Sequence, residues 1–178
     1  MPRLILFAAC SRVIVDAEDE TVTLVGLLER VTVSHDAEGR FPRVADVNWQ
    51  HLAIWQADDG DEDQTYEQRV EVLRPDRRQA AEVRHHLDLS RKMLRIHGAV
   101  AGFPSEVEGA YTIRLSSRNA LDDETWQKVA EYPVTVRHAP AGALPATPNS
   151  GADAPAPSAR HSRRAARRRG GSSPTRTQ

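Results

Sequence analysis

Seven histidines, several runs of carboxylates, one cysteine and a cluster of arginines carry whatever chemistry this 178-residue chain can do. His51 lies between Trp49 and Trp55 on an alternating apolar segment, which predicts a hydrogen-bonded core or sheet-surface histidine rather than a ligand. His85 and His86 are adjacent, so on a strand they point to opposite faces and cannot hold one ion together. His97 falls on the polar side of its segment, while His35, His138 and His161 fall in loops or in the C-terminal part. No His-Glu-x-x-His motif and no Cys/His pair with zinc spacing occurs, so no metal ligands and no cofactor are expected. Asp58, Asp59, Asp61, Glu62 and Asp63 crowd one turn, and Asp16–Glu20 and Leu121–Glu124 form further acidic turns. Calcium takes six to eight oxygens, often from such loops, but Gly60 is misplaced for an EF-hand. Solvated turns whose charge discourages edge pairing are the expectation, and a calcium or small-ligand site is the alternative. Gly-x-Ser-x-Gly is absent, and Cys10 has no neighbouring histidine, which predicts an inert core thiol. No catalytic residue is assigned, and the chain is expected not to be an enzyme.

The arginines are more informative. Arg160, Arg163, Arg164, Arg167, Arg168 and Arg169 lie within ten residues. A cluster of this kind attracts phosphates through counterion release, with little sequence preference. No aromatic residue interleaves, which argues against base stacking. The partners this allows are non-specific nucleic acid, anionic lipid, or the acidic part of the chain itself. Lys92 and Lys128 are the only lysines in the chain. Arginine therefore dominates everywhere, which points to a G- and C-rich genome before it points to a polyanion.

Charge divides the chain in two. Residues 1–138 hold 17 basic and 24 acidic residues, a net of −7; residues 139–178 hold seven arginines and Asp153, a net of +6. The first part is expected to be one β-domain and the second, rich in Pro, Ala and Ser, a disordered polybasic tail. One cysteine rules out an intrachain disulfide and suits the cytoplasm. No apolar run reaches the length of a membrane-spanning helix. The stretch Leu4–Ala9 is too short for a lipoprotein signal and reads as a buried strand ending at Cys10.

Within the body, short alternating segments are punctuated by Asp/Gly/Pro turns, a β pattern. Strands are expected over Leu4–Ala9 with a continuation past a kink at Cys10–Ser11, Thr21–Val33, Val44–Ala57, Thr65–Leu73, Ala80–Leu89, Met93–Val100, Ala110–Ser116 and Trp126–Arg137. Gly26 is expected to mark a bulge or bend, and Phe103-Pro104 to open a loop. About eight strands without a convincing helix predict an antiparallel two-sheet β-sandwich, immunoglobulin-like or jelly-roll-like. Trp49, Trp55 and Trp126 are the expected large core fillers.

The segments LILFAACSRVIVDAEDETVTLVGLLERV, VLRPD, FPSEVEGAYTIRL and YPVTV together resemble an uncharacterised bacterial β-sandwich family, the domain of unknown function DUF6941. The likeness runs from about Pro2 to Val136 and leaves the tail out. Arg77 stands after Pro75-Asp76 where the pattern has glycine. The resemblance implies a sandwich fold and supplies no activity, substrate or site residues. The reading that follows is a non-enzymatic interaction or accessory module whose partner is a protein, either another copy or a different chain. A nucleic-acid-associated protein acting through the tail is the alternative.

Overall fold

The computed structural model describes residues 1–36, 38–61, 64–121 and 125–139. The arginine cluster of residues 160–169 and the rest of the segment beyond 139 lie outside the described residues. Nine strands are present: β1 (Arg3–Val15), β2 (Val22–Leu27), β3 (Arg30–Ser34), β4 (Val44–Gln56), β5 (Tyr66–Leu73), β6 (Gln79–Leu87), β7 (Met93–Pro104), β8 (Gly109–Asn119) and β9 (Gln127–Ala139). They form a four-stranded sheet in the order β2-β1-β4-β7 and a five-stranded sheet in the order β3-β9-β8-β5-β6. No α-helix occurs among the described residues, and the segment 79–87 that alternates Val83, His85 and Leu87 is a strand. The expected two-sheet sandwich is therefore the architecture.

Four expectations need correction. The segment 21–33 is two strands in different sheets. Gly26 adopts φ +61°, and Leu28 buries its side chain where the chain crosses from one sheet to the other. The first half then pairs with β1 and the second half with β9. The β3–β9 pair is parallel, so the sandwich is antiparallel in every pair but that one. Phe103-Pro104 does not open a loop: both residues extend β7, opposite Ala45 and Val44. Trp126 is not a core residue; its ring lies over the guanidinium groups of Arg69, Arg84 and Arg118, with centroid distances of 4.6, 5.6 and 4.7 Å.

Alternation places the core. Trp49, Ala53 and Trp55 of β4 meet Val70 and Val72 of β5, Tyr111, Ile113 and Leu115 of β8, and Val134 and Val136 of β9. Burying such side chains is the main favourable term in folding, at about 25 cal/mol per Å2 of apolar surface. One end of the core is fixed by aromatic side chains. The Trp49 indole donates to the Gly102 carbonyl at 3.0 Å, and Phe103 meets both Trp49 and Tyr111 edge-on. The Tyr111 hydroxyl accepts the Val107 N–H at 3.3 Å, tying the β7–β8 loop back onto its strand. Packing thus accounts for the Phe and Tyr of the Phe-Pro…Gly-x-Tyr pattern, and a backbone φ of +141° accounts for its glycine, Gly109.

Beyond Cys10, β1 leaves β4 and continues paired only with β2. The Val13 N–H is received by the Gln50 side-chain oxygen at 2.6 Å. The hairpin tip reaches β7, where Glu20 pairs with Arg95 at 2.9 Å. Because β4 separates β1 from β7 in the sheet, the hairpin passes over the outer surface of β4. It covers Leu52 and Cys10, both fully buried.

Candidate functional site

The strand pairing sets a polar row across the inner face of the five-stranded sheet. Gln68 at the centre of β5 stands opposite His85 of β6 on one side and Ser117 of β8 on the other. Cross-strand partners share a face, and this face is the one that carries Tyr66, Val70, Ile113 and Leu115 into the core. From the other sheet, His51 of β4 comes in with its ring centroid 5.4 Å from that of His85. Gln68 and Ser117 are completely buried, and His51 is 1 % exposed.

Among the described residues, one hydrogen bond reaches the row from its surroundings. The Trp55 indole donates to Gln68 Oε1 at 2.7 Å, which fixes the amide and leaves Nε2 as its free donor. Both ring nitrogens of His51, Nε2 of His85, Nε2 of Gln68 and Oγ of Ser117 are buried without a hydrogen-bond partner. The expectation that His51 is a core residue therefore holds, but the expectation that it is hydrogen-bonded does not. Burial drives its pKa from 6.5 down to about 4, with further lowering from the charges of His85 and His97. Burial also lowers His85. Both rings are neutral at physiological pH and present lone pairs rather than charge.

This row lies beside the place where two unpaired sheet edges run together, β6 on one sheet and β7 on the other. Gly98 of β7 pairs with His51 across the sheet. A Cβ at position 98 would stand 2.4 Å from His51 Cε1, so only glycine leaves room for the ring. Next to the histidines the seam holds an apolar cavity of about 50 Å3, lined by Trp49, Val70, Val72, Ala81, Val83 and Val100.

The other sequence candidates are dispersed. His86 is on the outer face, 3.5 Å from Glu67, as the adjacency with His85 requires. His35 and His138 sit on either side of Phe41, with centroids at 4.0 and 3.8 Å. His97 lines an open cleft of about 480 Å3 under the β1–β2 hairpin, with Val15, Glu20, Arg91 and Arg95. Asp61 turns inward instead of joining the acidic tip. It accepts the Asp58 N–H at 2.8 Å and the Tyr66 hydroxyl at 2.9 Å, and pairs with the Met1 amino group at 3.2 Å. Among the described residues no three of His, Cys, Asp and Glu gather as metal ligands do. Burial raises the Cys10 thiol pKa, as an inert core cysteine requires. Arg160, Arg163, Arg164, Arg167, Arg168 and Arg169 lie outside the described residues. Sequence reasoning missed the His51–His85 approach because the two belong to different sheets, and no spacing rule links them.

No family model matches the chain, and no curated protein matches it. Among solved structures, it is similar to an immunoglobulin-like protein from Pseudomonas aeruginosa at 11 % identity, covering 77 % of this chain and 97 % of that one, with a TM-score of 0.33. The sandwich assignment here rests on the strand pairings themselves.

Proposed function

We propose that this protein is a non-enzymatic β-sandwich module that works by binding another protein, a second copy or a different chain. The observation that supports this is the outward face of the β1–β2 hairpin. Pairing sets Leu27, Val25 and Thr23 along β2 opposite Cys10, Arg12 and Ile14 of β1. Ile14 of β1 is 41 % exposed, and Val25 and Leu27 are 43 and 52 % exposed on β2, the edge strand of its sheet. Their neighbours Val13, Val22 and Leu24 are half-buried instead, so the hairpin carries apolar side chains on both sides. An apolar face on a free strand edge is where another chain docks or adds a strand. The test replaces both Val25 and Leu27 with lysine in the full chain. Captured partner, or the dimer fraction in light scattering, is expected to fall at least tenfold while the melting temperature holds. Unchanged capture and unchanged mass would remove the reading.

A second reading rests on the split of charge between residues 1–138 and 139–178. We infer polyanion binding by the six clustered arginines, independent of sequence. Six neutralised phosphates give a log–log salt slope of about −5 on duplex DNA. A slope near zero, or binding that survives exchange of the six arginines for glutamine, would remove it.

A further inference from the structure

We propose that His51 and His85 form a binding site for a divalent transition-metal ion of the zinc class, which staples the two sheets together at the β6–β7 seam. Three imidazole nitrogens, His51 Nδ1 and Nε2 and His85 Nε2, are buried without a partner. Each orphaned buried polar group costs about 1–3 kcal/mol. Several of them together weigh against a total stability of about 5–15 kcal/mol, so an ion that takes the lone-pair nitrogen of each ring is favoured there.

The chemistry of the orphans points to the class of occupant. Neutral imidazole is the histidine form that binds metal, and the borderline-soft ions are the ones that prefer it. The separation fits as well. With metal–nitrogen bonds of about 2.0–2.1 Å, two imidazoles on one tetrahedral ion stand with ring centroids about 5 Å apart. The observed separation is 5.4 Å. The two ligands come from β4 of one sheet and from the edge strand β6 of the other, and Gly98 on the facing edge strand leaves the space in which the His51 ring sits. Since no third His, Cys, Asp or Glu joins them among the described residues, the ion completes its shell with solvent. Such a two-ligand site is open to exchange, unlike a closed structural zinc site. His86 and His97 take no part: one faces out beside Glu67, and the other lines the cleft on the opposite surface of β7.

The test uses the full chain, stripped with EDTA and then titrated with zinc chloride at pH 7.5. Thermal melts and histidine side-chain NMR are the readouts. At a zinc concentration one hundred times the dissociation constant, the melting temperature is expected to rise by about 5–10 °C. The His51 and His85 ring resonances should move together with saturable 1:1 behaviour. His85→Ala, on a half-exposed edge strand, folds without difficulty and should abolish both effects. His86→Ala and His97→Ala should leave both intact. A melting temperature indifferent to zinc, or a zinc response that survives His85→Ala, overturns the proposal; in the first case the row is satisfied by buried water alone.

Discussion

The two faces of the five-stranded sheet handle polar side chains in different ways. On the outer face, charges are matched: Arg118 to Glu67 at 2.7 Å, Arg84 to Glu82 at 2.6 Å, Arg69 to Glu71 and Arg114 to Glu131 at 3.2 Å each. The Trp126 ring lies over three of these guanidinium groups. On the inner face, one strand step away, His85, Gln68 and Ser117 carry polar atoms that no protein group meets. The outer array has many ion pairs, those at the exposed end weakened by water, although Arg69 Nε and Glu71 Oε2 within it are also buried without a hydrogen-bond partner. The inner row has few groups, each costly because the surrounding side chains offer it no partner. Orphaned atoms thus occur on both faces where side chains are buried, but the inner row is the one that meets an imidazole from the other sheet.

The largest effect should come from the apolar frame that holds the inner row in place. Tyr111 is fully buried and closes the β7–β8 loop through its hydroxyl. Tyr111→Ala is expected to cost about 3–5 kcal/mol, read as a loss of denaturation midpoint. A shift no greater than that of an exposed outer-face variant would mean that the sheets are not packed through this residue.

Acid should separate the two faces next. His51 takes up its proton at about 4 in the fold, against its ordinary 6.5, because burial and neighbouring imidazole charge oppose the charged form. The unfolded chain therefore binds this proton first as the pH drops. The stability it confers is complete above pH 6.5, declines from 6.5 to 4, and is lower by about 3 kcal/mol below that. His85 shifts in the same direction and adds to the slope. Carboxylates such as Asp36 and Asp61, whose pKa values are lowered, titrate below this window. In metal-free protein, His51→Leu should flatten the profile between pH 6.5 and 4 relative to wild type. Parallel profiles for the two proteins would show that the imidazole is not buried as described.

Outer-face changes should be smaller. Trp126→Ala removes one ring from three cations that keep their carboxylates, and is expected to cost about 1 kcal/mol. A loss of 3 kcal/mol or more in urea unfolding would place Trp126 in a cooperative network and erase the contrast between the faces.

Alternation along single strands makes the fold legible in the sequence. It gives the inward set Trp49, Trp55, Val70, Tyr111 and Val134, all buried, and it puts His85 and His86 on opposite faces. What it could not give is anything set by how strands meet. The switch of sheet at Leu28–Glu29 depends on the Leu28 N–H donating to the Ala9 carbonyl and the Thr135 N–H donating to the Glu29 carbonyl, both partners distant in sequence. The parallel β3–β9 pair depends on the chain returning to the same sheet more than ninety residues later. Trp126 follows a turn, and the arginines of β5, β6 and β8 that its ring covers come from strands distant in sequence. The candidate site was half visible: His51 was placed in the core, but its neighbour came from the other sheet, and the missing hydrogen bonds have no sequence signature.

The smallest effect belongs to the turn between β5 and β6, which joins the central strand of the polar row to its edge strand. Arg77 adopts φ +66°, a left-handed conformation in which a side chain crowds its own backbone. The turn is otherwise well made. The Arg77 N–H donates to the Arg74 carbonyl at 2.9 Å, and the Asp76 carboxylate accepts the Arg78 N–H at 3.0 Å. Relief of the backbone strain by Arg77→Gly exceeds the extra freedom glycine gives the unfolded chain, because the strain costs about 1–2 kcal/mol and the freedom somewhat less. The net expectation is a gain of about 0.5 kcal/mol, with the pH profile and the zinc response unchanged. A loss of stability would mean that the arginine side chain holds the turn through contacts of its own. A change in the pH profile would mean that the turn sets the position of His85, so that the inner row depends on the hairpin that carries it.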